Sequence, residues 1–87
     1  MSYSRDMATK YDLEVWIVDA VRALGGEARI PDICRHVWDS HERDLRASGD
    51  LFYTWQYDIR WSAQRLRDQR VLVPDKQTPR GIWRLAR

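Results

Sequence analysis

The sequence predicts a small, mainly helical α+β domain in which three helices precede a carboxyl-terminal β-hairpin. Apolar residues recur at helical spacing in three separate segments, and glycine or proline stands between those segments. The last segment changes to strand-like alternation around a polar loop. The chain has 87 residues, enough for one domain. We expect that domain to span residues 11–87, after a flexible arm formed by residues 1–10.

The first helix is predicted over residues 13–24. Its apolar residues follow the i, i+3, i+4, i+7 spacing of an amphipathic helix. They are Leu13, Trp16, Ile17, Ala20, Val21 and Leu24. We expect Asp12 to cap the amino terminus of this helix and the two glycines at 25 and 26 to end it. Residues 27–30 are too few for more than a strand fragment.

The second helix is predicted to start at Pro31, since proline suits the first turn of a helix. Its buried face comprises Ile33, Cys34, Val37 and Trp38. The helix is expected to end near Ser40 or His41, with one extra helical turn over residues 42–47. Cys34 is the only cysteine in the sequence, so no disulfide can form within the chain, and we expect a buried thiol there.

The third helix is predicted over residues 51–68, capped by Asp50. Its inner face carries Leu51, Trp55, Ile59, Ser62 or Ala63, and Leu66. Its outer face carries aromatic and hydrogen-bonding groups instead of the usual Glu and Lys. These are Tyr53, Tyr57, Arg60, Trp61 and Gln64.

The carboxyl-terminal segment predicts a hairpin of two short strands, residues 71–73 and 82–85, joined by a polar loop over residues 74–81. The full order is then helix, strand, helix, helix, strand, loop, strand. That order is the layout of a winged helix-turn-helix domain, in which the lone strand pairs with the hairpin. The hairpin loop would form the wing.

Charge is distributed unevenly along the chain. The net charge is +2, but residues 1–50 carry a balance of −3 and residues 51–87 a balance of +5. A basic carboxyl-terminal half on a small domain indicates a surface that faces a polyanion. An ordinary solvated surface is the alternative.

Several motifs resemble the amino-terminal domain of Mrr-type restriction endonucleases. They are the Leu-Gly-Gly-Glu step at residues 24–27, the Trp61-Ser62-Ala63 segment with Leu66, and the ending Arg80-Gly81-Ile82-Trp83-Arg84-Leu85. The resemblance covers roughly residues 13–86. It implies a winged-helix fold that recognises DNA, without the nuclease domain that carries cleavage in that family.

These observations predict a free-standing protein that binds double-stranded DNA, such as a small transcriptional regulator of a bacterium, phage or mobile element. Glutamine can bond adenine and arginine can bond guanine through two hydrogen bonds each. The candidate base contacts are Tyr53, Thr54, Gln56, Tyr57, Arg60 and Gln64. The candidate contacts to the DNA backbone, from the helix flanks and the wing, are Arg65, Arg67, Lys76, Thr78 and Arg80.

A protein-interaction module on the same scaffold is the alternative function, with Tyr53, Tyr57 and Trp61 as its apolar patch. For Trp61 we expect packing under the wing, and a partner surface is the other interpretation. Whether two copies pair as a homodimer through the first helix and the arm is left open.

The sequence offers no nucleophile–base pair and no cluster of carboxylates for a metal, so we predict no enzyme activity, no metal and no cofactor. It contains no apolar run of the roughly 20 residues that a membrane span requires. Its polar amino terminus lacks the apolar stretch of a signal peptide. We therefore expect a cytoplasmic protein without a membrane partner, associated with the nucleoid when it binds DNA.

Overall fold

A computed structural model describes residues 8–87 of the chain, and this part contains three helices and a small antiparallel sheet. Helix α1 spans Lys10–Ala23, α2 spans Ile30–Arg46 and α3 spans Leu51–Asp68. The prediction of a mainly helical α+β fold is confirmed. None of these helices has both the length and the apolarity needed to cross a bilayer.

Helix α1 begins three residues earlier than predicted, because Thr9 and not Asp12 caps it. The Thr9 hydroxyl accepts a hydrogen bond from the Tyr11 backbone N–H at 3.2 Å. The Asp12 carboxylate accepts one from the Thr9 N–H at 2.9 Å. This reciprocal arrangement is a capping box, and it satisfies backbone donors that the first turn of a helix leaves free. Asp12 therefore lies within the first turn.

The predicted flexible arm falls partly outside the described residues, which exclude residues 1–7. Ala8 is buried, and its N–H donates to the Ser48 hydroxyl at 2.8 Å. That hydroxyl donates in turn to the backbone carbonyl of Asp44. The chain is therefore held against the turn between α2 and α3 from Ala8 onward.

Helix α2 continues through the predicted break and includes the extra turn. His41 has non-helical backbone angles (φ −132°, ψ 22°), so the helix is kinked there. Two features hold the residues at and after the kink against the rest of the domain. Leu45, in the last turn, is fully buried. The His41 ring stacks on Trp16 of α1 with ring centres 3.9 Å apart, and burial lowers the pKa of His41.

Helix α3 has the predicted bounds and the predicted inner face. Five of its residues are buried: Trp55, Ile59, Ser62, Ala63 and Leu66. The prediction that Asp50 caps this helix is wrong. Asp50 has helical angles and no side-chain capping bond. The first N–H groups of α3 already donate to backbone carbonyls three residues earlier, starting with Leu51 to Ser48 at 3.1 Å.

The sheet has two strands within the described residues, β1 (Glu27–Arg29) and β2 (Ile82–Arg84), paired antiparallel with Ala28 opposite Trp83. The predicted strand over residues 71–73 is not formed. Only a single bridge joins Leu72 to Leu85. After Val73, whose N–H donates to the Arg84 carbonyl at 2.9 Å, the chain enters the 3₁₀ turn Asp75–Gln77 and no longer runs beside β2.

The loop over residues 74–81 contains one 3₁₀ turn, Asp75–Gln77, and its base is anchored to α2. The Ile30 N–H donates to the Gly81 carbonyl at 3.0 Å. Gly81 has a φ of +82°, which side chains larger than hydrogen rarely permit. The loop therefore projects from a fixed point beside the first turn of α2.

Helix α3 ends in a Schellman motif that puts an arginine where glycine is usual. The Val71 N–H donates to the Leu66 carbonyl at 2.8 Å, and the Arg70 N–H donates to the Arg67 carbonyl at 3.0 Å. Arg70 has a φ of +64°, in the left-handed region. This conformation costs an L-residue roughly 1–2 kcal/mol.

Replacing Arg70 with glycine should therefore stabilise the protein. We expect Arg70→Gly to raise the free energy of unfolding by about 0.5–1 kcal/mol, because glycine's greater freedom in the unfolded chain offsets part of the gain. Urea denaturation measures the change. The control Arg70→Ala removes the same charge but keeps a Cβ, and it should give no such gain. Equal stabilisation by both variants would contradict the backbone explanation.

Candidate nucleic-acid interface

A groove of about 780 Å³ lies between the amino-terminal half of α2 and one flank of α3. We call it the α2–α3 groove. Its walls are mostly apolar, with a few polar groups at the edge. The residues that line it are Ile30, Pro31, Cys34, Arg35, Trp38, Phe52, Trp55, Gln56, Arg60 and Gly81.

The floor of the groove is held rigidly by aromatic packing. Trp38 of α2 stacks on Trp55 of α3, with ring centres 6.1 Å apart and planes 8° from parallel. The Arg46 guanidinium lies 5.2 Å from the Trp38 ring centre and 5.7 Å from that of Phe52. These contacts fix the position of α2 relative to α3, and with it the width of the groove.

The charged side chains that line the groove are both positive. Arg35 and Arg60 are exposed, and no carboxylate lines the groove. Neither arginine forms an ion pair within residues 8–87. Two unneutralised guanidiniums on a concave surface create a local positive potential that attracts anions.

Two of the predicted base contacts, Gln56 and Arg60, lie in this groove. Gly81 closes it at the base of the loop that carries two more predicted contacts, Lys76 and Arg80. Both of these side chains are exposed, and neither is in an ion pair within the part of the chain that the structure describes. Arg80 directly precedes Gly81, so the loop reaches the groove at that end.

Arg35 lines the groove but is not among the contacts predicted from the sequence. It is exposed on α2, one helical turn after Pro31. The sequence signal that could have identified Arg35 is a positively charged residue in the first half of the helix that precedes the predicted recognition helix. Such helices contact the DNA backbone in helix-turn-helix proteins.

The aromatic residues of α3 form a separate surface. Tyr53, Tyr57 and Trp61 are 82%, 64% and 59% exposed. The prediction that Trp61 packs under the loop is wrong. Arg67 occupies that place: its guanidinium lies 5.9 Å from the centre of the buried Trp83 ring and 3.6 Å from the Asp75 carboxylate.

Two predicted base contacts are hydrogen-bonded along their own helix. The Thr54 hydroxyl donates to the Asp58 carboxylate at 2.7 Å. The Gln64 amide donates to Asp68 at 3.0 Å and accepts from Arg67 at 3.2 Å. These bonds hold both side chains against the helix, and neither residue lines the groove.

Three predicted backbone contacts make intramolecular bonds instead of facing the groove. The Arg65 guanidinium bonds to the Glu14 carboxylate of α1 at 2.5 Å, and this partner raises the pKa of Arg65. Arg67 pairs with Asp75 as described above. The Thr78 hydroxyl donates to the Ile82 carbonyl at 3.0 Å, within the loop.

Comparison with protein families, with curated proteins and with solved structures finds no match to this chain. The resemblance to the amino-terminal domain of Mrr-type endonucleases therefore stays a prediction from sequence motifs. What the chain does is inferred from the residues and surfaces described above.

Cys34, predicted as a buried thiol, is only half-buried and lines the groove, so it gives a chemical probe of the groove. Burial raises the pKa of its thiol, and the positive charge of Arg60 offsets part of that rise. Because the thiolate is the reactive form, we expect iodoacetamide to modify Cys34 more slowly at pH 8 than a free thiol. Mass spectrometry follows the reaction, and unfolding in urea should restore the rate of a free thiol. A native rate equal to or above that of a free thiol would contradict this description of the groove.

Proposed function

We propose that this chain binds double-stranded DNA as a winged-helix protein, with α3 as the recognition helix and the loop over residues 74–81 as the wing. The observation that carries this proposal is the α2–α3 groove, whose charged side chains are both cationic and unpaired within residues 8–87. The order of the helices and strands and the motifs that resemble those of Mrr-type amino-terminal domains support it. A role as a small transcriptional regulator fits the same proposal.

In this proposal α3 enters the major groove, which is wide enough to admit a helix. Gln56 and Arg60 would then make the main base contacts, since both are exposed and point along the groove side of α3. Glutamine pairs best with adenine and arginine with guanine. Tyr53 and Tyr57 would lie at the outer edge of the same contact. Thr54 and Gln64 would first have to release their bonds along the helix.

Contacts to phosphates would come from either side of α3. Arg35 on α2 would face one strand, and Lys76 and Arg80 in the loop would reach the backbone or the adjacent minor groove. Such contacts fix the orientation of a protein on the duplex and set its affinity without reading sequence. They also make binding weaken as salt rises, because each neutralised phosphate releases a counterion.

The test starts with a selection of bound sequences from random duplexes, followed by mobility-shift titration at low salt. We expect a shift at micromolar protein or below. Arg60→Gln should weaken binding to the selected sequence by about 1–3 kcal/mol, roughly 5- to 150-fold, with a smaller effect on unrelated duplexes. Arg43→Gln is the matched control, because Arg43 is an exposed arginine of α2 outside the groove.

Absence of any shift at low salt, with folding verified by circular dichroism, would contradict DNA binding. Equal effects of Arg60→Gln and Arg43→Gln would contradict the assignment of the groove. They would indicate binding through general positive charge.

The exposure of Tyr53, Tyr57 and Trp61 favours a second candidate, a protein-binding module. Aromatic residues are enriched at protein interfaces, whereas single scattered apolar residues are ordinary on surfaces. Changing Arg60 and Lys76 together to Glu separates the two functions. DNA binding should be lost in that variant, whereas a partner held by the aromatic side chains should still bind.

A further inference from the structure

A second apolar surface lies on the seam between α1 and α3, formed by Tyr11 and Val15 of α1 with Tyr57 and Trp61 of α3. We call it the α1–α3 aromatic face. Tyr11 is 62% exposed and Val15 is 58% exposed, close to the values for the two α3 residues. None of these four residues lines the α2–α3 groove. The face is therefore distinct from the groove, and of its four residues only Tyr57 also lies at the outer edge of the proposed DNA contact.

The four side chains belong to one continuous surface. Tyr57 and Trp61 meet edge to face, with ring centres 6.5 Å apart. Trp61 and Tyr11 line the same depression of about 240 Å³ between the two helices. Val15 follows Tyr11 by one helical turn, so it extends the face along α1.

Contacts within the chain hold this surface in place without a partner. The Ser62 hydroxyl donates to the Lys10 carbonyl at 3.1 Å, which joins α3 to the start of α1. The Arg65 guanidinium bonds to Glu14 and lies 5.4 Å from the Tyr11 ring centre. Rigid aromatic side chains lose little conformational entropy when they are covered, and this favours binding.

The face has almost no charge of its own. Of the charged groups that line its depression, Arg65 and Glu14 neutralise each other, which leaves Lys10 as the one other charge there. A face with little net charge has no complementary charges that would favour a strongly charged partner. It can meet a copy of itself without like-charge repulsion, which is what a two-fold symmetric interface requires.

The exposed aromatic area of the face is comparable with that of functional apolar patches on other proteins. Tyr and Trp side chains bury about 150–250 Å² each when fully covered. At the exposures given above, Tyr11, Tyr57 and Trp61 offer roughly 300–450 Å² per chain, before Val15 and the surrounding atoms are counted. The largest apolar patch on a typical monomer measures about 300–600 Å² and is often functional, and a standard interface buries about 800 Å² per partner with its polar rim included.

We propose that a second copy of this chain docks on the α1–α3 aromatic face, so that the protein forms a two-fold symmetric dimer. Formation of the dimer does not depend on the proposed DNA binding. If both hold, Tyr57 contacts the partner copy and not DNA, and the groove residues Gln56 and Arg60, which are not part of the face, would read two half-sites related by two-fold symmetry.

Analytical ultracentrifugation of the full chain without DNA tests the proposal. We expect a species of about twice the 10.4 kDa chain mass at micromolar to tens of micromolar protein. Val15→Glu and Trp61→Glu should each weaken dimerisation at least tenfold. The matched control is Leu24→Glu. Leu24 is an exposed apolar residue (40% exposed) at the carboxyl-terminal end of α1, and it lies outside the face. It should leave dimerisation unchanged.

Circular dichroism checks that each variant is folded. A wild-type chain that stays monomeric up to about 1 mM would overturn the proposal, and DNA binding by that monomer would leave the proposed function intact. A dimer weakened as much by Leu24→Glu as by Val15→Glu would also overturn it, as would a dimer that both face variants leave unchanged. If one face variant does not fold, the other decides.

Discussion

The burial of one face of α3 is the constraint on which the rest of the molecule depends. Trp55, Ile59 and Leu66 are almost fully covered, so the rotation of this helix about its axis is fixed. Because side chains repeat every 3.6 residues, that rotation turns Gln56 toward α2 and Trp61 toward α1. One helix thereby supplies two surfaces of different chemistry, a cationic groove and a neutral aromatic face.

Much of this arrangement could be predicted from the sequence, because it depends on periodic burial. The bounds of α3 and its buried residues from Trp55 to Leu66 follow from its apolar spacing, and so does the core stripe of α1 up to Val21. Leu24, the last residue of the predicted stripe, lies after the helix and is 40% exposed, and Leu51 is only half-buried. Features that depend on local hydrogen bonds were harder to predict. Asp12 and Asp50 are both plausible caps by residue type, yet Thr9 caps α1 and a run of helical turns leads into α3. The strand predicted at residues 71–73 is reduced to one bridge, because the chain leaves β2 for the 3₁₀ turn that starts at Asp75.

The candidate site was predicted in part. The helical wheel identifies the outer face of α3 but not which neighbour each flank meets, since that depends on how α1 and α2 pack. Trp61 was therefore expected under the loop, a place that Arg67 fills over Trp83. For the same reason Arg35 was missed: its value as a site residue comes from its position across the groove from Arg60, and only the packing of α2 against α3 reveals that.

We propose that DNA contacts the α2–α3 groove side of the domain. Amide chemical shifts of the ¹⁵N-labelled protein, recorded while a duplex is added, locate the contact residue by residue. We expect the largest changes at Arg35, Gln56, Arg60 and Gly81, with little change at the amides of α1 around Val15. Changes concentrated on α1, or none along the groove while the duplex binds, would contradict it.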